Sequence, residues 1–202
     1  MRTWLVAALI LALASTGPAR ALDPPAPGDQ TVSAPVTHAP TGLRFPPAIA
    51  GVPFIRSIDY ARSGDDPGLG VGYTYGVPGR LLVTIYVYDL GRRAPDGHDS
   101  AIVAAAFEQS LSSIRIAATR IGKYHDLQIE PPGACGYGAV TFRCVTFTAI
   151  SADGSQPLFG KLLLTGYRGY FLKLRADWRR DAPDDTDAVE RVVQTFVGTA
   201  LR

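Results

Sequence analysis

Cysteine, histidine and methionine are scarce in this chain. Its 202 residues include two cysteines, three histidines and one methionine. Neither cysteine lies near the N-terminus, so lipid attachment there is not supported. Cys135 and Cys144 are not spaced as Cys-x-x-Cys, which removes a thioredoxin-like redox motif. There is no Gly-x-Ser-x-Gly, no His-Glu-x-x-His and no Gly-Lys-Ser/Thr. The signatures of serine hydrolases, zinc proteases and phosphate-loop enzymes are therefore missing. There is no internal repeat. No apolar run reaches the roughly 20 residues that span a bilayer as a helix.

Excess charge of one sign is also lacking. The chain has 20 Lys and Arg against 18 Asp and Glu. Arg2 is followed by an uncharged apolar run, Pro18 breaks it, and Ala19-Arg20-Ala21 supplies a small-x-small cleavage pattern. Residues 1–21 are thus expected to be a cleaved secretory signal peptide, leaving no membrane span afterwards. Arg2 and Arg20 leave with it and no acidic residue does, so the mature chain is expected to be neutral. Its arginines are scattered, with pairs at Arg92-Arg93 and Arg179-Arg180. Nucleic-acid binders concentrate basic charge on one face, so no nucleic-acid partner is expected. The expected location is the periplasm or the exterior.

Residues 22–43 contain Pro24, Pro25, Pro27, Pro35 and Pro40 and no aromatic residue. Proline removes backbone donors, and little apolar surface is available to offset ordering, so a disordered linker is expected. Residues 44–202 then suit one domain. Strands are expected over 52–60, 69–75 and 81–88, the last rich in β-branched and aromatic residues on both parities, as in a sheet covered on both faces. A helix capped at Asp99 or Ser100 carries Val103, Phe107, Leu111, Ile114 and Ile121 on one face and stops near Gly122. Pro131-Pro132-Gly133 reads as a loop. Strands at 139–150, 159–167 and 170–176 follow. A last helix begins near Asp184, Asp185 and Asp187, with Val189, Val192, Val193, Phe196 and Val197 as its apolar stripe. The expected architecture is α+β: β-β-β-α-β-β-β-α, two three-strand meanders in one antiparallel sheet of about six strands, with two amphipathic helices packed on it.

This order, the strand Tyr170-Phe171-Leu172-Lys173-Leu174-Arg175 and the closing helix ending Phe196-Val197 resemble the PsbP-like superfamily over residues 43–202. The resemblance implies an α/β/α sandwich around an antiparallel sheet. Most members bind or assist other proteins, and no catalytic residue is implied. The Tyr-Val-Tyr-Asp-Leu-Gly segment at residues 86–91 is similar to one in uncharacterised exported bacterial proteins.

Two cysteines in an exported chain favour a Cys135–Cys144 disulfide, which would add on the order of 2–3 kcal/mol. His98 lies between Asp96 and Asp99, with Ser100 next. Consecutive side chains point apart, so a polar loop ending in a helix cap is expected rather than a triad or metal site. Gly68, Gly70 and Gly72 fall in a strand-like run that continues through Tyr75 rather than opening a helix, and fit close aromatic or backbone approach. Tyr73, Tyr75, Tyr86 and Tyr88 on neighbouring strands, Tyr167 and Tyr170 about a turn, and Arg175 and Trp178 form a candidate binding surface. No cofactor is expected. The leading functional expectation is a non-catalytic exported accessory protein that engages another protein or an envelope component. The alternatives are a small-ligand carrier with a tyrosine-lined pocket between sheet and helix, and a hydrolase using His98 and acidic residues.

Overall fold

Residues 81–88 carry the chain's strongest strand signal, and they form an inner strand, β6 (Leu81–Tyr88). The computed structural model describes residues 35–63 and 67–201. The expected signal peptide and residues 22–34 of the expected linker lie outside that range.

The chain enters through β1 (Val36–His38), β2 (Leu43–Phe45), β3 (Ala48–Ile49) and β4 (Val52–Asp59). A single helical turn, α1 (Tyr60–Ser63), leads towards β5 (Val71–Val77) and β6. Next come α2 (Ala101–Thr119), β7 (Tyr124–Ile129), β8 (Gly133–Tyr137), β9 (Val140–Ser151), β10 (Pro157–Tyr167), β11 (Tyr170–Arg179) and α3 (Pro183–Ala200). β1 and β2 pair as a separate two-stranded ribbon. The other nine strands form one sheet ordered β3-β4-β5-β6-β11-β10-β9-β7, with β8 on the far end of β9. Every pairing is antiparallel. The two expected meanders are present as β4-β5-β6 and β9-β10-β11, and the β6–β11 pair joins them.

Three differences correct the sequence expectation. The sheet has nine strands, not six. Residues 131–133 lead straight into β8, and β7 forms an edge from a polar segment. The folded body also starts before residue 44. His38 and Thr41 are buried, and His38 Nδ1 lies 2.8 Å from Thr41 Oγ1. Phe45 stacks on Tyr73 at 3.6 Å between ring centroids and also meets Phe196 of α3. Buried Leu43, the Arg168 guanidinium donating to Thr41 O and the His38 ring against Tyr170 add to this anchor.

Because strand side chains alternate, each strand serves two cores. Leu172, Leu174, Ala176 and Trp178 of β11, with Val83, Ile85 and Val87 of β6, meet Val189, Val192, Val193 and Phe196 of α3. Phe171 and Tyr88 point the other way, to Val103, Phe107 and Leu111 of α2. The helices therefore cover opposite faces. On the α2 face, Phe147 of β9 lies flat over Gly160 of β10. A Cβ at residue 160 would sit 1.7 Å from the ring. Phe147 is itself buried under the Arg175 guanidinium, whose carbon is 4.4 Å from the ring centroid. The ring has no room to retreat, so Gly160→Ala is expected to destabilise the fold by about 2 kcal/mol or more through overpacking. Chemical denaturation would check this. A loss below about 0.5 kcal/mol, the scale of an ordinary surface change, would contradict it.

Candidate functional site

Strand alternation decides where the expected tyrosine surface goes. Tyr73 and Tyr75 of β5 lie on the α3 face with Tyr167, Tyr170 and Trp178. Tyr86, Tyr88 and Arg175 lie on the α2 face. Tyr73, Tyr75, Tyr88 and Trp178 are buried. The structure thus divides the eight residues between two faces. Tyr73 and Tyr75 are core aromatics: burial raises the Tyr73 hydroxyl to about 12 and pushes Tyr75 higher still. Trp178 Nε1 donates to Thr186 at the start of α3.

The α2 face forms a site because the helix covers only part of it. α2 packs on β10 and β7. Its flank leaves an open cleft of about 340 Å3 over β6 and β11, lined by Tyr60, Leu69, Tyr86, Tyr88, Leu90, Gln109, Ser110, Ser113 and Lys173. Tyr86, Tyr88 and Leu90 are alternate residues of the Tyr-Val-Tyr-Asp-Leu-Gly segment, so its periodicity places all three on the cleft side. Asp89 Oδ1 accepts from the Gly91 N–H at 2.8 Å, and the Leu90 N–H donates to Gly68 O at 3.0 Å. These bonds hold Leu90 at φ +53°, an uncommon backbone for a non-glycine residue. The glycine-rich stretch is a place of close approach, as expected. A Cβ on Gly72 would come within 3.2 Å of both the Tyr60 and Tyr86 rings.

Lys173 gives the cleft its charge. Its Nζ sits 4.4 Å from the Tyr86 ring centroid and 5.2 Å from that of Tyr88. Burial, reinforced by the neighbouring Arg175 charge, lowers its pKa to about 8. Burial also raises the Tyr86 and Tyr88 hydroxyls to about 12, so both stay neutral. Two other half-buried cations of the sheet show what Lys173 lacks. Arg175 donates to Asp177 at 2.8 Å and to Tyr124 Oη at 3.1 Å. Lys161, on the α3 face, pairs with Glu190 and donates to Tyr137 Oη at 2.7 Å. Burial disfavours both charges, yet their partners hold both pKa values above the ordinary ones. Lys173 has neither a carboxylate nor a hydrogen-bond partner among the described residues. Composition and motifs did not single it out. Its signal was a lysine between two leucines in a mixed strand.

The remaining candidates resolve locally. Cys135 and Cys144 form a disulfide across the β8–β9 hairpin, with Cα atoms 5.8 Å apart. His98 Nε2 lies 2.8 Å from exposed Asp99, and Ser100 Oγ caps α2 by accepting from the Val103 N–H at 3.1 Å. His125 Nε2 lies 2.9 Å from the Ala152 carbonyl oxygen. Among the described residues, no cluster of His, Cys, Asp and Glu could hold a metal ion. A more open depression between the end of α2 and β7 is lined by exposed groups such as Arg115, His125 and Asp126.

No family model matches the chain, and no curated protein sequence matches it. Among solved structures, it is similar to cyanobacterial PsbP from Synechocystis, with 12% identity over 80% of this chain and 89% of that one and a TM-score of 0.48. It is also similar to the Ran-binding protein Mog1p of Saccharomyces cerevisiae, with 11% identity over 79% of this chain and 86% of that one and a TM-score of 0.38.

An unpaired cation in a half-dry cleft costs stability. Below pH 8 both folded and unfolded chains carry the Lys173 proton, and the folded chain bears the full desolvation cost. Above the ordinary lysine value of 10.5 neither carries it, and the cost is gone. Lys173→Met keeps the apolar stem and removes the charge. It is expected to stabilise the protein by about 1–3 kcal/mol at pH 7, with the gain shrinking from pH about 8 upward. Denaturation of both proteins across that range checks this. A destabilised variant, or a difference independent of pH, would contradict it.

Proposed function

We propose that the protein is an exported, non-catalytic binding protein that carries a small ligand in the cleft between the sheet and α2. The supporting observation is the cleft itself. It is concave, walled by Tyr60, Tyr86 and Tyr88, and lined by Lys173, a cation with no charged partner among the described residues. Ligand sites of this kind combine an apolar wall with a few polar groups that fix orientation, and about 340 Å3 falls at the lower end of their usual size. Export is supported by the signal pattern at residues 1–21 and by a disulfide, which oxidising compartments preserve. No helix among the described residues is long and apolar enough to cross a membrane.

Docking to another protein or to an envelope component is a weaker reading. It would draw on one continuous tyrosine and arginine patch, whereas these side chains lie on two faces and half of them are buried. A hydrolase built on His98 is weaker still. Among the described residues its acidic contact is the exposed Asp99, and the adjacent Ser100 is engaged as a helix cap.

The test is a small-molecule fragment screen monitored by NMR. Bound fragments are expected to cluster at Tyr86, Tyr88, Ser110 and Ser113. Ser113→Trp is expected to abolish this clustering by placing a large side chain in the cleft from an exposed position of α2. Hits scattered over the surface, or cleft shifts unchanged by Ser113→Trp, would overturn the proposal.

A further inference from the structure

We infer that the cleft is built for an organic carboxylate: a small monoanion whose carboxylate pairs with Lys173 Nζ while an apolar or aromatic body lies against Tyr60, Tyr86 and Tyr88. This inference rests on the cleft being the ligand site and adds the chemical class of the ligand.

Charge complementarity carries it. Lys173 and Arg175 are two residues apart on one face of β11, and Asp177 is the next residue on that face. The Asp177 carboxylate is taken up by Arg175, with Nη2 2.8 Å from Oδ1. Arg175 is further fixed by Tyr124 Oη and by Phe147 beneath its guanidinium. Among the described residues of this face, the Lys173 charge is left over, and Lys173 lines the cleft. A cation between two aromatic faces is partly stabilised by their quadrupoles, but only an anion replaces the lost water fully.

The rest of the lining sets the limits on that anion. α2 contributes Gln109, Ser110 and Ser113, which are hydrogen-bonding groups without charge. A dianion such as a phosphate monoester would need a second free cation, and Arg175 is already committed. The tyrosine faces and Leu90 offer contact to an apolar body. A small aromatic or aliphatic carboxylate meets every one of these conditions.

The same geometry fixes the pH dependence. Among the described residues, the groups facing Lys173 are Tyr60 from α1, Tyr86 and Tyr88 from β6, the uncharged side chains of α2, and Arg175 on its own strand. Tyr86 and Tyr88 are held neutral and Arg175 is held charged, so the change of charge near pH 8 belongs to Lys173. Carboxylate affinity is therefore highest below pH 8 and falls above it.

The experiment titrates the protein with 3-phenylpropionate and, separately, with its neutral amide, following the ring signals of Tyr86 and Tyr88. At pH 7 the carboxylate is expected to bind about tenfold tighter or more, the difference a charge-assisted hydrogen bond makes. That preference is expected to vanish in Lys173→Met and to weaken at pH about 9.5. If acid and amide bind equally while the cleft signals move, the carboxylate assignment is overturned and the cleft remains a ligand site. If neither compound moves the cleft signals, both readings fall. A preference that persists in Lys173→Met, or that does not weaken at the higher pH, also overturns the assignment.

Discussion

Strand β11 has to serve two cores at once, and most of this structure follows from how it does so. Its α3 face carries Leu172, Leu174, Ala176 and Trp178, an ordinary apolar set. Its α2 face carries Phe171, Lys173, Arg175 and Asp177. A half-buried cation needs an anion or water. Arg175 finds Asp177 and Tyr124, and across the sheet Lys161 finds Glu190. Among the described residues, Lys173 finds aromatic faces and no anion. The open cleft follows from that: a helix closing over Lys173 would leave the charge with neither counter-ion nor water. α2 instead lies over β10 and β7 and leaves β6 and β11 partly uncovered.

Much of this could be read from the residues. The run from Leu81 to Tyr88 is apolar on both parities, and it is covered on both faces. Ser100 caps α2, and Val103, Phe107 and Leu111 face the sheet as their spacing requires. What escaped was structure with weak local preference. β7 contains His125, Asp126 and Gln128, sits on a sheet edge and shifts register between His125 and Gln128, so it has no clean alternation to read. β8 follows two prolines and holds Gly133 and Gly136, and it exists because β9 templates it and the disulfide ties it there. The β1–β2 ribbon is six residues of strand among prolines, held by Phe45 against Tyr73 and Phe196 rather than by any propensity of its own.

The candidate site was legible only in part. The aromatic residues were recognisable, but assigning them to one surface requires knowing the pairing register. A one-residue offset puts neighbours such as Tyr73 and Tyr86 on opposite faces. The Tyr-Val-Tyr-Asp-Leu-Gly segment held more information than its composition suggested, because alternation sends its two tyrosines and Leu90 to one cleft. Lys173 looked like a polar residue in a half-exposed strand. Its significance lies in the counter-ion it lacks, and an absence of that kind is visible only when neighbours are placed in space.

Among the described residues, Lys173 is a cation without a counter-ion. Its own titration tests this most directly. NMR titration of lysine side-chain signals, with Lys173→Met to identify the resonance, would give its pKa. The account predicts a value of about 8. A value at or above the ordinary 10.5 would mean that the ammonium is either fully hydrated or paired within the protein, and would contradict it.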